Sequence, residues 1–203
     1  MTAVGFRVKS GYAIAVVLDG SRQSPRPVAS RVVDLSDPGI AETRQPYHDG
    51  FYKTEEDARE IARRVAIVKR CAQQSVAALL EQIEGEAVAE PRRSSQVNKS
   101  ERRRAALVVG SLIDPATVAN PHIRAHAHEG QLFRTVLKEA LAEHAVDCDV
   151  IVDKQLGARA AKELARPASA VARTVASFGK TLGGRWRAEE KAAATAAWLA
   201  LRA

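Results

Sequence analysis

Two short runs, AALVVGSLI (105–113) and CDVIV (148–152), are apolar at nearly every position rather than at alternate ones. A strand of that kind is covered on both faces, the habit of parallel strands sandwiched between helices. Helical patterns follow each run. RAHAHEGQLFRTVLKEALAEH (124–144) carries Leu132, Phe133, Val136, Leu137, Ala140 and Leu141 on one face. ARAAKELARPASAVARTVASF (158–178) is helical with a break at Pro167, which removes a donor and clashes with the preceding turn. Strand–helix–strand units of this type restrict the chain to the α/β class.

The N-terminal part differs. AVGF (3–6), YAIAVVL (12–18) and VASRVVDL (28–35) read as three consecutive strands. Asp19-Gly20 is the strongest hairpin signal, and Pro25 with Pro27 places SPRP in a loop. Residues 36–53 read as loop, punctuated by Asp37-Pro38-Gly39 and Asp49-Gly50. From Thr54 a long helix is predicted, with Thr54 as cap and Gly85 as stop. Its stripe of Ile61, Val65, Val68, Ala72, Val76, Leu79 and Ile83 recurs at steps of three and four. GKTLGG (179–184) is a loop, and AEEKAAATAAWLALRA (188–203) a terminal helix with Trp198 and Leu199 on its buried side. The expected order is β-β-β-α-β-α-β-α-α in a single domain over residues 1–203.

Composition narrows the function classes. Lys and Arg number 31 against 24 Asp and Glu, a formal charge of +7 that suits a polyanionic partner, nucleic acid before membrane. The bland reading of that excess is background residue usage. Six of the cations (Arg92, Arg93, Lys99, Arg102, Arg103, Arg104) fall in residues 91–104 beside a lone acid, Glu101, in a basic loop or a solvated connection. No apolar run approaches the ~18 residues of a membrane span, and no apolar stretch follows a basic start at the N-terminus, so a cytoplasmic protein is expected. Cys71 and Cys148 have no metal-ligand spacing. GxSxG is missing, and Gly179-Lys180-Thr181 lacks the upstream glycine of a phosphate-binding loop.

Local words then carry a resemblance. VGFRVKSGYAIAVVLDG resembles the opening strand and turn of the RuvC-like and YqgF-like Holliday junction resolvases. ALVVGSL is similar to their fourth strand, VDKQLGARAAKEL to the segment after the fifth, and EEKAAATAAWLAL to the closing helix. The resemblance implies a ribonuclease H-like three-layer sandwich: a mixed five-stranded sheet, its first three strands antiparallel, with helices on both faces. It also implies a cluster of carboxylates holding Mg²⁺ for phosphodiester cleavage. The matching positions carry other chemistry. Arg7 stands where an acid ends strand one, Lys9 where the turn is glycine-rich, and Lys154 where an acid follows strand five, beside a retained Asp153. The strand-four acid falls at about Gly110, and only Glu189 and Glu190 keep the acids of the last helix. No Asp or Glu occurs from Met1 through Leu18, so no small register shift restores the first ligand.

Arg7, Lys9 and Lys154 are therefore expected at the carboxyl ends of the central strands, the usual ligand edge of such sheets. There they either pair with an acid on the last helix or bind phosphate. Supporting cations are Arg102, Arg103, Arg104, Lys180, Arg185 and Arg187, with Trp186 between two of them as a base-stacking ring or a core anchor. Candidate acid–base groups are Glu129, Asp153, Glu189, Glu190 and His128. His122 and His126 are four apart and share a helix face as metal-binding pairs do, though polar helix-start residues are the plainer reading, and no metal is assigned. The leading expectation is a non-catalytic or altered ribonuclease H-like protein that binds nucleic acid or another phosphate-bearing partner, without a cofactor. The first alternative is a metal-dependent nuclease using Asp114, Glu129, Asp153 and Glu190 with Mg²⁺. The second is an assembly protein, a homodimer through alanine-rich helix faces.

Overall fold

A computed structural model describes residues 1–50, 53–89 and 103–202. Three strands come first: β1 (Thr2–Lys9), β2 (Tyr12–Gly20) and β3 (Pro25–Asp34). Then helix and strand alternate: α1 (Ala58–Ala89), β4 (Arg104–Val109), α2 (Pro121–Glu143), β5 (Asp147–Val152), α3 (Asp153–Glu163), α4 (Ala168–Leu182) and α5 (Ala188–Ala200). The sheet order is β3-β2-β1-β4-β5. β1 runs antiparallel to β2 and parallel to β4, and β4 runs parallel to β5. This is the mixed five-stranded sheet expected from the sequence.

Successive side chains of a strand enter opposite layers. Val4, Phe6 and Val8 of β1 pack with Val68, Ala72 and Val76 of α1 and Phe133 and Leu137 of α2. Ala3 joins the other layer, with Leu156 of α3, Phe178 of α4 and Trp198 of α5. On that side Gly5 lies directly beneath α5, where a β-carbon would overlap the backbone of Ala193 and Ala197. The small residues of α5 permit the same approach, and Ala193, Ala194, Ala196 and Ala197 are fully buried. Helix and strand thus meet backbone to backbone.

Several local readings need correction. The β1–β2 turn is Ser10-Gly11, with Gly11 at φ +83° and Lys9 opposite Tyr12. Asp19-Gly20 marks the β2–β3 hairpin as expected, closing β2 with Gly20 paired to Pro25. Pro25 and Pro27 belong to β3, which tolerates them because it is an edge strand whose outer donors face no partner strand. Thr54 forms a bridge with His48 rather than capping α1. The side chain of Asp57 takes the orphan Arg59 N–H at 2.8 Å. Gly85 lies inside α1. Residues 91–102, most of the basic segment and Arg102 with it, lie outside the described residues.

Candidate functional site

Arg7 occupies the α3–α5 layer one pleat beyond Gly5. Its side chain is only 13% exposed, its Nη2 lies 2.9 Å from Asp153 Oδ2, and its Nη1 donates to the Val108 carbonyl at 3.4 Å. Asp153 is placed by the sheet register: Val152 pairs with Val109, so the next residue starts α3 beside the ends of β4 and β1. A carboxylate also suits the positive end of the α3 dipole. At the tip of β1, Lys9 Nζ lies 3.3 Å from Glu189 Oε1 in the first turn of α5. The expectation gave Arg7 a partner from the last helix. The acid comes from α3 instead, and the last helix serves Lys9.

Lys154 is exposed in the first turn of α3, and Lys180, Arg185 and Arg187 are exposed on or near the α4–α5 turn. That turn needs its paired glycines, Gly183 at φ +69° and Gly184 at φ +74°. Because α5 begins there and Glu189 reaches Lys9, Arg185 and Arg187 stand next to the same edge. Trp186 is half-buried against the α4 side of the turn. Its Nε1–H donates to the Val175 carbonyl at 2.9 Å, and its ring abuts Gly179, fastening the turn to α4.

Arg103 and Arg104 lie elsewhere. Arg104 opens β4, with Arg103 just before it, and is paired to Ala3 and Asp147, whereas the basic edge lies where the same parallel strands finish. Four residues of strand separate the Arg104 register from that of Val108 and Arg7, about 13 Å. Arg103 is paired with Glu84 of α1 at 2.7 Å. Arg104 lines a separate cleft of about 240 Å³ with Arg22, Asp149, Arg159 and Glu163.

The rearranged acid set does not assemble. Asp114 caps a short turn by accepting the Ala116 N–H at 3.0 Å, and Glu190 is buried and accepts the Arg187 N–H at 2.7 Å. Asp153 is paired with Arg7. Glu129 is on α2, in the opposite layer from Arg7, and is 1% exposed. Its Oε1 lies 2.7 Å from His48 Nδ1 and its Oε2 3.3 Å from His126 Nδ1. Burial pushes its carboxyl up to about 7 against the opposing pull of His126, and burial lowers His48. His128 stacks on Tyr47 with ring centroids 4.8 Å apart. Among the described residues, the group of three or more metal-ligating side chains close enough to share an ion is His48, His122 and His126. His48 carries no sequence signal: it sits in a loop, and no spacing ties it to α2.

At the basic edge, two acids are already engaged by two cations, and three further exposed cations flank them. The Lys9–Glu189 pair, partly exposed on both sides, is weak and exchanges readily with solvent or an incoming anion. A divalent cation there meets the field of a guanidinium and an ammonium, whereas a phosphate meets surplus positive charge.

No protein-family model matches the sequence, and no curated protein matches it. Solved structures do match. The structure of Thermus thermophilus RuvC is 13% identical with a TM-score of 0.51, covering 98% of this chain and 92% of that one. T. thermophilus RuvC in complex with Holliday junction substrate gives 14% identity and a TM-score of 0.53, over 98% and 91% of the two chains. The protein is an α/β sandwich of the ribonuclease H-like class. Within that class its fold is similar to that of RuvC. Among the described residues, no helix is long and apolar enough to cross a membrane.

Proposed function

We propose that the protein binds the phosphate backbone of nucleic acid at the finishing edge of β1, β4 and β5, and that this edge does not perform metal-dependent cleavage. The observation that carries the reading is the charge at that edge: Arg7 and Lys9 project from β1, with Lys154, Arg185 and Arg187 exposed around them. A solved protein of the same fold is described with a Holliday junction substrate, which supports a branched or distorted DNA as first probe. Asp153 and Glu189, the carboxylates best placed for metal ligation at this edge, are held by Arg7 and Lys9. Phosphate oxygens can compete for the exposed cations without disturbing Arg7, which stays to hold Asp153 and the end of β4 in register.

The test is fluorescence anisotropy with a labelled four-way junction and a labelled single strand, from about 50 to about 200 mM salt. The Lys9→Ala/Lys154→Ala/Arg187→Ala variant is expected to bind more weakly. Every phosphate that the variant leaves without its cation should flatten the salt slope by about 0.9 on duplex or about 0.7 on single strands. Unchanged affinity and slope would overturn the reading. Incubation with Mg²⁺ should leave the junction intact, and cleavage abolished by Asp153→Asn would overturn its non-catalytic part. A dimer with no polynucleotide affinity at moderate salt would instead favour an assembly protein.

A further inference from the structure

Three imidazoles from separate parts of the chain meet on the α1–α2 side of the sheet, in the layer opposite Arg7. His122 and His126 lie one turn apart at the start of α2, and His48 comes from the loop before α1. Ring centroids are 5.0 Å apart for His48–His122, 4.5 Å for His48–His126 and 4.7 Å for His122–His126. One nitrogen from each ring lies within 4.8 Å of the others. Bonds of about 2.05 Å to a tetrahedral ion would bring such nitrogens to about 3.3 Å. The closure needed is about 1.5 Å at most, and His126 lies on the exposed side of α2, where its ring can move.

We propose that His48, His122 and His126 bind one divalent transition-metal ion of the zinc class, with Glu129 as the carboxylate that orients two of the imidazoles. Packing alone accounts poorly for the arrangement. His48 is 5% exposed, and its Nε2 is buried without a hydrogen-bond partner, on the ring that touches both other histidines. A buried polar atom in that condition costs about 1–3 kcal/mol, so an apolar residue would be the better filler. Glu129 faces the Nδ1 atoms of His48 and His126, leaving the Nε2 atoms as donors, the relation in which outer carboxylates hold metal-ligating histidines.

The surroundings pre-organise His48 from several directions. Its N–H donates to the Gln45 carbonyl at 2.9 Å, and its carbonyl accepts Arg64 Nη1 at 2.8 Å. Arg64 is itself buried and paired with Glu55 and Glu60, at 2.8 and 2.9 Å, so its charge is offset before it reaches the histidines. Three nitrogen donors select zinc, cobalt, nickel or copper over magnesium and calcium, which prefer oxygen. With the His126 side chain 47% exposed, the ion would face solvent and keep a position for water or an anion.

The test is titration of chelator-stripped full-length protein with Zn²⁺ alone by calorimetry, and with Co²⁺ followed by visible absorption. One ion per chain is expected, with the ligand-field bands of low-symmetry nitrogen coordination. His126→Ala removes a side chain on the exposed side of α2 and should weaken Zn²⁺ binding by at least ~100-fold, more than the loss of an outer partner. His144→Ala, also on the surface, should leave it unchanged. Only millimolar binding, or equal binding by the His126→Ala and unsubstituted proteins, would overturn the assignment. Anisotropy with the junction, read alongside, separates this site from the basic edge: His126→Ala should not change the salt slope.

Discussion

Gly5→Ala is the sharpest test of how α5 is seated, and through it of how Glu189 reaches Lys9. The new methyl would overlap the Ala193 carbonyl oxygen and the Ala197 nitrogen, and it would stand 3.0 Å from the Ala193 carbonyl carbon. All three are backbone atoms, so no rotamer relieves the overlap. Ordinary carbon contacts need about 3.5 Å, so the helix must withdraw by roughly 1 Å or more, and gaps of 0.5–1 Å already forfeit a quarter to a half of each dispersion attraction. The packing at risk includes Ala193, Ala194, Ala196, Ala197, Trp198 and Leu201, all fully or nearly fully buried. The expected loss is about 3 kcal/mol, the upper end for overpacking. For a chain of this size that is a fall of roughly 6–12 °C in Tm by circular dichroism. Gly157→Ala is the control, since a β-carbon there meets open space on α3, and it should raise Tm by a few degrees. A Gly5→Ala melt within about 2 °C of the unsubstituted protein would refute the backbone contact.

Arg64→Ala should lose about 3 kcal/mol in chemical denaturation, because it strips Glu55 and the Pro46 and His48 carbonyls of a buried partner. Arg64→Lys should not restore it, since one ammonium cannot replace the forked donors. The Arg63 and Arg64 guanidiniums hold Glu60 down at about 2, from an ordinary value of 4.5. A carboxylate depressed on folding contributes stability that is complete above the unfolded value and is lost as pH falls toward the folded one. The stability difference between the protein and Glu60→Gln should therefore be constant above about pH 5 and shrink between about pH 4.5 and 2. A difference independent of pH would contradict the pairing. Burial pushes the Cys148 thiol up to about 12 and raises Cys71 as well, so neither should alkylate rapidly with iodoacetamide at neutral pH. Fast modification of the folded protein would show that the β5 thiol is open.

Much of the fold was legible because its parallel half is written in two continuous apolar runs, and nothing but a two-sided cover satisfies them. The antiparallel half was harder. Arg7 and Lys9 hid the last residues of β1, since polar residues at a strand tip read as the start of a turn. Prolines hid the beginning of β3, whose edge position depends on a sheet order that no local pattern states. The basic edge was legible in Arg7, Lys9 and Lys154, but the pairing was not. That Asp153 takes Arg7 follows from the Val109–Val152 register, a long-range fact. The separation of Arg104 from Arg7 was readable from direction alone. Residues before β4 lie where parallel strands start, and residues after β1 and β5 lie where they finish. His48 stayed invisible, because a loop residue meets α2 only through the packing of Arg64 and Thr54 around it.

The proposed contact with nucleic acid stands or falls on whether it lies at the finishing edge of β1, β4 and β5. Amide chemical-shift mapping of the ¹⁵N-labelled full chain with a short single-stranded DNA reports that location directly. The largest changes should fall at Lys9–Gly11, Asp153–Gln155 and Arg185–Glu189, with little change at Arg22, Arg104 and Arg159. Changes concentrated around the Arg104 cleft, or none at the β1 tip at saturating DNA, would contradict it.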